Sequence, residues 1–166
     1  LSVRQPNLDT VTIDTGVRYE WDIRFAEDVP LDLRIDCGAG NHDIDLSNLT
    51  VTHLDMKLGA GNARVDVSNN PDLRRLEFDL GAGDVDIDLD GTWIEDVDVV
   101  VQAGVGQTII RLPRDVGVRA TVTHGIGDVD VSGLYRQGDT WINEAYGDAE
   151  VTVEVLVRAG IGRVEL

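Results

Sequence analysis

Acidic side chains recur at every second position in several segments, and they have the clearest capacity for chemistry in this sequence. The stretch GDVDIDLDG carries four of them, and HDIDL and ARVDV resemble it. Because Ca²⁺ takes six to eight oxygen ligands, carboxylates in such rows could form a ladder of divalent-cation sites. This candidate cation set comprises Asp45, Asp66, Asp84, Asp86 and Asp88.

The alternative interpretation of these rows is a solvated strand face that keeps the protein soluble. Its carboxylates would repel one another, with partial relief from Arg64 and Arg111 in neighbouring copies. Calcium-binding nonapeptide repeats need a nine-residue period and a glycine-rich turn, whereas 22 residues separate Gly59 from Gly81 here. The solvated face is therefore the favoured interpretation, and a cation-binding or glycan-binding module is the alternative function.

Carboxylate clusters on a solenoid wall can also act as general acid and base in polysaccharide cleavage. Enzymes of that kind carry long loops that build a substrate cleft, and the connections between the repeated segments here are short. No H-E-x-x-H spacing and no recognisable serine-nucleophile motif is present. The sequence predicts that the protein is not an enzyme, with no catalytic residues and no cofactor apart from the hypothetical Ca²⁺.

The histidines and the single cysteine fit structural roles better than chemical ones. His124 precedes a glycine in a column shared with apolar residues, so we expect it to pack in the core, and His42 and His53 are isolated. Cys37 falls in the same inward column and is interpreted as a small hydrophobic side chain. One cysteine excludes an intrachain disulfide and any zinc site with several cysteine ligands.

Composition limits the partners of the chain. Its 166 residues suit one domain, and 31 acidic against 14 basic residues leave a net charge of -17. Such a surface repels phosphate backbones and anionic lipid headgroups, which excludes nucleic acid and direct membrane binding by this segment. The chain begins at Leu1 rather than Met and holds no apolar run of membrane-spanning length. We therefore expect it to be part of a longer protein.

A repeated strand, Gly-x-Gly, strand pattern must position all of these side chains. Apolar residues alternate with polar ones on both sides of each glycine pair, which predicts two short strands with one buried face each. Copies of this kind bury their apolar faces only by stacking on one another. We predict an all-β, single-domain, solenoid-like stack of six strand-corner-strand repeats, either a β-helix or a toast-rack arrangement. The predicted structural corners are Gly38, Gly40, Gly59, Gly61, Gly81, Gly83, Gly104, Gly106, Gly125, Gly127, Gly160 and Gly162.

The segments outside the regular repeats are assigned to the ends and one side of the stack. Residues 1–30 include the amphipathic run VRYEWDIRF and are predicted to form N-terminal capping strands. Residues 31–131 form regular repeats, 132–150 an inserted hairpin around a QGDT turn, and 151–166 the last repeat. No cap follows Leu166, so the C-terminal end of the stack is expected to be open.

The inserted hairpin brings aromatic side chains into an otherwise aromatic-poor chain. Tyr135, Trp141 and Tyr146 are candidate protein contacts, because exposed aromatics often anchor interfaces. Packing of these rings back against the flank of the stack is the favoured interpretation.

The column directly after the second glycine is mostly amide or carboxylate. It reads Asn41, Asn62, Asp84, Gln107, Asp128 and Arg163. We expect these groups to accept hydrogen bonds from the corner backbone or to form a ladder between copies.

The chain also resembles a known family. The corners GAGN and GIG, and above all LPRDVGVRATVTHGIGDVDVSGLYRQGDTWINEAYGDAEVTVEVLVRAGIGRVEL, resemble the toast-rack family and the C-terminal domain of LiaF-like cell-wall-active antibiotic response proteins. The resemblance covers residues 31–166, and residues 1–30 look like a variable N-terminal part. It implies a non-enzymatic scaffold or sensor module of a bacterial cell-envelope stress system, acting through protein partners or self-association. Relatives often carry membrane helices, so the resemblance also implies association with the cell envelope. It does not indicate which side of the membrane the domain faces.

Overall fold

The computed structural model describes Ile23, Phe25 and residues 29–166, and within these residues all regular structure is β. The predicted cap VRYEWDIRF lies almost wholly outside this described part. No described helix is long and apolar enough to span a bilayer. The strands are β1 (Leu31–Ala39), β2 (His42–Asp45), β3 (Val51–Ala60), β4 (Ala63–Asp66), β5 (Arg75–Ala82), β6 (Val85–Asp88), β7 (Val97–Arg111), β8 (Gly117–Asp130), β9 (Tyr135–Gln137), β10 (Thr140–Ile142) and β11 (Thr152–Glu165).

The six predicted repeats are present in two forms. In the first three, a strand pair such as β1 and β2 is interrupted at the second glycine of the corner and the residue after it. In the last three, one long strand, β7, β8 or β11, runs through its corner without interruption. The predicted all-β stack of strand-corner-strand repeats is therefore confirmed.

Strand order in space differs from strand order in the chain. The sheet runs β1-β3-β5-β7-β11-β8-β10-β9, while β2, β4, β6 and the second half of β7 form the other arm. All described repeat strands pair with one another in parallel, whereas β10 pairs antiparallel with both β9 and β8. The last repeat, β11, lies between β7 and β8. The expectation of an open C-terminal end is thus wrong: the strand at that end of the stack is β8, from the fifth repeat.

The core lies between the two arms of the bent sheet, as the alternation predicted. One inward column illustrates it, because its interior members are at most 1% exposed while its two terminal members are only partly buried. Full burial of such side chains contributes about 1.5–3 kcal/mol each. The column consists, in spatial order, of Ile35, Met56, Phe78, Val101, Val157 and Val122.

The corner glycines let neighbouring strands approach closely. Gly83 has a φ of 139°, and a Cβ atom placed on it would lie 1.9 Å from the carbonyl oxygen of Gly61. A residue with a side chain would suffer both an unfavourable backbone conformation and a backbone clash. The first glycine of each corner has no positive φ, and in the five corners other than that of Gly38 it serves close approach alone.

The position of β8 also corrects the prediction for His124. His124 is in register with Ala159 of β11, yet it is exposed rather than packed in the core. Because β8 is the last repeat strand among the described residues and the hairpin pairs only with its beginning, no described strand lies beside His124 on the side away from β11. The same column position is buried at Leu58 and Leu80, which have neighbours on both sides.

Candidate functional site

The acidic rows are in register across the second arm of the sheet. Asp45 pairs with Asp66, Asp66 with Asp88, and Asp88 with Arg111. Strands in one sheet are about 4.8 Å apart, so three carboxylates lie side by side before an arginine ends the row. The structure thus brings together three members of the candidate cation set.

Each of these three carboxylates accepts a hydrogen bond within the turn that follows its strand. The Oδ1 atom of Asp45 accepts hydrogen bonds from the backbone N and the hydroxyl of Ser47, at 3.0 and 2.6 Å. The hydrogen bonds from Ser47 lower the pKa of Asp45. In the same way Asp66 accepts from the backbone of Ser68, and Asp88 from that of residue 90. The repeated aspartate therefore shapes the turn that follows each strand, a role typical of Asx turns.

The other two members of the set also have partners. Asp86 forms a bidentate ion pair with Arg111, whose second contact is 2.8 Å, and this hydrogen bonding raises the pKa of Arg111. Asp84 accepts a hydrogen bond from the backbone N of Gln107 at 3.2 Å, and the backbone N of Asp84 donates to Asn62 at 3.4 Å. The predicted hydrogen-bond ladder after the second glycine is therefore present at these steps. Among residues 29–166, no group of three or more His, Cys, Asp or Glu side chains is arranged to hold a metal ion.

Ion pairs between neighbouring repeats, which were not predicted from the sequence, lie on the outer face of the first arm. Arg34 contacts Asp55 at 3.1 Å, Lys57 contacts Asp79 at 3.8 Å, and Arg119 contacts Glu154 at 2.7 Å. Each pair joins adjacent strands at the same register position. Exposed pairs contribute only about 0–1 kcal/mol each, but opposite signs in register favour the correct alignment of repeats. Opposite charges at matching positions of the outward columns are the sequence signal for these pairs, and this signal can be read only once the strand order is known.

The hairpin lies against the free side of β8 at its beginning. Trp141 pairs with Ala120 and Ile142 with Arg119, as the last paired positions before the edge becomes free. Asn143 anchors the end of the hairpin: its Oδ1 accepts from the backbone N of Val118 at 2.9 Å, and its Nδ2 donates to the carbonyl of Val116 at 2.7 Å. The predicted QGDT turn lies between β9 and β10.

The three hairpin aromatics have different environments. Tyr135 is 49% exposed, whereas Trp141 packs against the core with the Arg136 guanidinium 5.9 Å from its ring centre. Tyr146 lies outside the hairpin strands, with Arg119 5.8 Å from its ring centre. Tyr135 is thus the ring among them that is most available for a partner.

An apolar ridge that was not predicted from the sequence lies at the corner. The ridge is the set of middle residues of three adjacent Gly-x-Gly corners, Val105, Ile161 and Ile126, which are 53%, 52% and 71% exposed. Ile161 is in register with both of the others. The middle residue is alanine in the first three repeats and Val or Ile in the last three, which is the sequence signal for this surface.

The ridge ends at an open strand edge. Within the described part of the chain, residues 121–130 of β8 pair with β11 on one side and with no strand on the other. Edge strands present free N–H and C=O groups that can pair with another chain. We call the ridge together with residues 121–130 the β8 end surface.

His42 and Cys37 lie at the opposite end of the stack, in the first repeat. The Nε2 atom of His42 is inaccessible and has no hydrogen-bond partner among the described residues. Cys37 is a free, half-buried thiol whose pKa is raised by burial and by the nearby Asp36. This environment is the opposite of one that activates a cysteine nucleophile.

Comparisons with known proteins agree with this architecture. A family model described as the N-terminal domain of toast_rack matches residues 1–72, which extends the likeness to the start of the chain. A crystal structure from Clostridium sporogenes, provisionally described as a cell adhesion protein, covers 84% of this chain and 92% of its own, with a TM-score of 0.69 and 22% identity. At that identity the likeness shows the fold. No curated protein matches the chain.

A second family model, described as cell wall-active antibiotics response LiaF, C-terminal, matches residues 60–166. Those residues contain four of the six repeats and the whole of the inserted hairpin. The chain therefore belongs to the LiaF-like C-terminal family of cell wall-active antibiotics response proteins.

Proposed function

We propose that this chain is a non-enzymatic scaffold or sensor module of a bacterial cell-envelope stress system, acting through protein-protein contacts. Membership of the LiaF-like family supports the link to cell-wall stress. The carboxylates with the most suggestive spacing are engaged in turns and ion pairs, which supports a structural rather than a catalytic role. The domain acts in association with the cell envelope, without nucleic acid and without direct membrane contact, as its charge of -17 favours.

The β8 end surface is the observation that carries this proposal. It joins three exposed aliphatic side chains in register to a free strand edge, and the exposed ring of Tyr135 lies on the hairpin beside it. Exposed apolar patches bordered by polar residues are typical of protein-binding sites. An open parallel edge also offers main-chain hydrogen bonds to an added strand.

Charged substitutions on the ridge test the proposal in the bacterium that makes the protein. Ile126→Asp combined with Ile161→Asp should change the output of a cell-wall stress reporter after antibiotic challenge, while protein abundance and Tm stay unchanged. The matched control is Ala60→Asp, an exposed middle residue of an interior corner. A wild-type reporter response from the ridge variant would show that the working surface lies elsewhere.

The alternative is a cation-binding or glycan-binding module, and the in-register row of Asp45, Asp66 and Asp88 is the observation that favours it. Calorimetry with Ca²⁺ at constant ionic strength tests the cation form. Saturable heat that disappears in Asp66→Asn and Asp88→Asn would support it. The turn hydrogen bonds of these carboxylates make weak or absent heat the expected result.

A further inference from the structure

Among the described residues, the two ends of the stack leave matching parts of the core only partly covered. Ile35 at one end and Val122 at the other are partly buried, whereas the residues between them in that column are covered. The second arm repeats this, with Ile44 and Val131 partly buried, whereas Val65, Ile87 and Ile110 are at most 1% exposed. One further strand at either end would cover such side chains, as a repeat does inside the stack.

Gly38 keeps a space clear that no described residue fills. A Cβ on Gly81 would lie 2.0 Å from the carbonyl oxygen of Gly59, and one on Gly125 would lie 2.6 Å from that of Gly160. A Cβ on Gly38 would meet nothing within 4 Å among the described residues. In every other corner this space holds the carbonyl of the first glycine on the neighbouring strand, on the side toward β1. The strand whose glycine carbonyls face outward with no described strand beside them is β8.

The β8 end of one copy therefore fits the β1 end of another in the register that the repeats already use. Extending that register places Gly125 beside Gly38 and His124 beside Cys37. Val122 and Ile35 would then adjoin in one continuous column. The contact would be heterologous, so it would generate open chains of copies rather than a closed dimer.

In this structure the hairpin blocks part of this contact. Trp141 occupies the place beside Ala120 that Leu33 of an incoming copy would take, and Ile142 does the same beside Arg119. Only these two residue pairs join β10 to β8. The rest of the β8 edge, residues 121–130, pairs with no described strand on that side.

We infer that the β8 end surface is a docking site for the β1 end of a second copy of this chain, and that the hairpin β9-β10 is a cap that limits this assembly. The inference rests on the proposed function, because it names the partner of the same surface. Each copy carries a charge of -17, so salt strengthens the assembly by screening repulsion.

Replacement of residues 135–142 by a short Gly-Ser loop, with the anchor Asn143 retained, tests the cap. Light scattering of the wild-type chain should give a mass close to the monomer. The variant should exceed about twice that mass as concentration rises, more so at high salt. A monomeric variant at high salt and high concentration would overturn the inference.

Gly38→Ala separates specific stacking from nonspecific association of exposed apolar surface. In the hairpin-replaced chain it should return the mass to that of the monomer, because the new Cβ meets the carbonyl of Gly125 in the next copy. In the wild-type chain it should leave Tm unchanged, since a Cβ there meets no described atom within 4 Å. Undiminished assembly, or a lowered Tm in the wild-type background, would overturn the inference. The second result would mean that the chain's own N-terminal residues fill the space.

A disulfide test reports the register directly. His124 is exposed, so His124→Cys should not disturb the fold. Neighbouring strands bring paired Cα atoms to about 4.8 Å, within the range that disulfides span. In the hairpin-replaced chain, oxidation should link the new cysteine to Cys37 of the next copy and yield a ladder of covalent oligomers. The matched control adds Cys37→Ala, and a ladder that persists in it, or none with both cysteines present, contradicts the register.

Failure here is distinguishable from failure of the proposed function. If the copies never assemble while Ile126→Asp with Ile161→Asp still alters the stress response, the surface binds a different protein and this inference alone is wrong.

Discussion

Val157 of β11 pairs in parallel with Val122 of β8, although β8 precedes β11 in the chain. On its other side Val157 pairs with Val101 of β7. The last segment of the chain is thus the link between the first four repeats and the fifth. Among the described strands the hairpin reaches the rest of the sheet only through β8, so β11 holds both β8 and the hairpin in place.

Removal of residues 151–166 should therefore abolish cooperative folding of the β8 region. The deletion uncovers the column on β7 and leaves β8 and the hairpin without a parallel neighbour. Several fully buried valines are lost, at about 1.5–3 kcal/mol each, against a typical total stability of about 5–15 kcal/mol. Hydrogen exchange should show no protected amides in residues 117–142. Retained protection there would contradict the assigned strand order.

Single substitutions at two valines of different exposure test the packing of β11 more mildly than the deletion does. Val157→Ala should lower the free energy of unfolding by about 2 kcal/mol, because Val157 is 0% exposed and its loss leaves a cavity. Val105→Ala, the matched control at a 53% exposed position, should change it by less than about 0.5 kcal/mol. Urea denaturation measures both, and equal effects would refute the described burial.

Gly83→Ala should destabilise the fold by more than about 2 kcal/mol, because positive φ and a backbone contact act together. The added Cβ would lie 1.9 Å from the carbonyl oxygen of Gly61. Gly38→Ala is the control, since its φ is not positive and its Cβ position is open among the described residues. Thermal unfolding of the two variants should separate them clearly, and similar Tm values would argue against stacking at the corner.

Asn70 should be among the most sensitive polar positions. It is 0% exposed, its Oδ1 accepts from the backbone N of Val51 at 3.1 Å, and its Nδ2 donates to the carbonyl of Leu46 at 2.7 Å. Asn70→Ala should cost about 1–3 kcal/mol, because buried backbone groups lose their partners. Exposed Asn41→Ala should cost much less in the same denaturant assay. A neutral Asn70→Ala would mean that other groups or water satisfy these atoms.

The Asp45 titration should depend on Ser47. The hydrogen bonds from Ser47 hold the pKa of Asp45 below its usual value. With the folded pKa below the unfolded one, the contact stabilises the fold above the unfolded pKa, and this contribution is lost as pH falls through the folded pKa. Ser47→Ala should raise the pKa of Asp45 in an NMR titration, and Ser132→Ala should not. An unchanged pKa in Ser47→Ala would exclude the hydroxyl as the dominant cause.

Much of the fold could be predicted from local pattern. The alternation around each Gly-x-Gly places Met56 and Phe78 inward and Asp55 and Glu77 outward whatever strand lies beside them. The hairpin turn between Tyr135 and Trp141 was likewise readable, because glycine and aspartate favour tight turns. The rows of aspartate were predicted in register, but their hydrogen bonds within the turns were not.

The order of strands was decided only by the tertiary structure. The fifth and sixth repeats have the same alternating columns, so either could follow β7 and bury the same kind of side chain. The observed order allows contacts between repeats that are distant in the chain, including Gln107 with Glu165 at 2.9 Å and Arg119 with Glu154 at 2.7 Å. His124 is exposed and β8 is open for this reason. The sequence by itself determined the repeat, its corners and its inward faces, because these depend on local alternation and on glycine. The long-range packing of β11 decided which repeat ends the stack, and with it the location of the candidate docking surface.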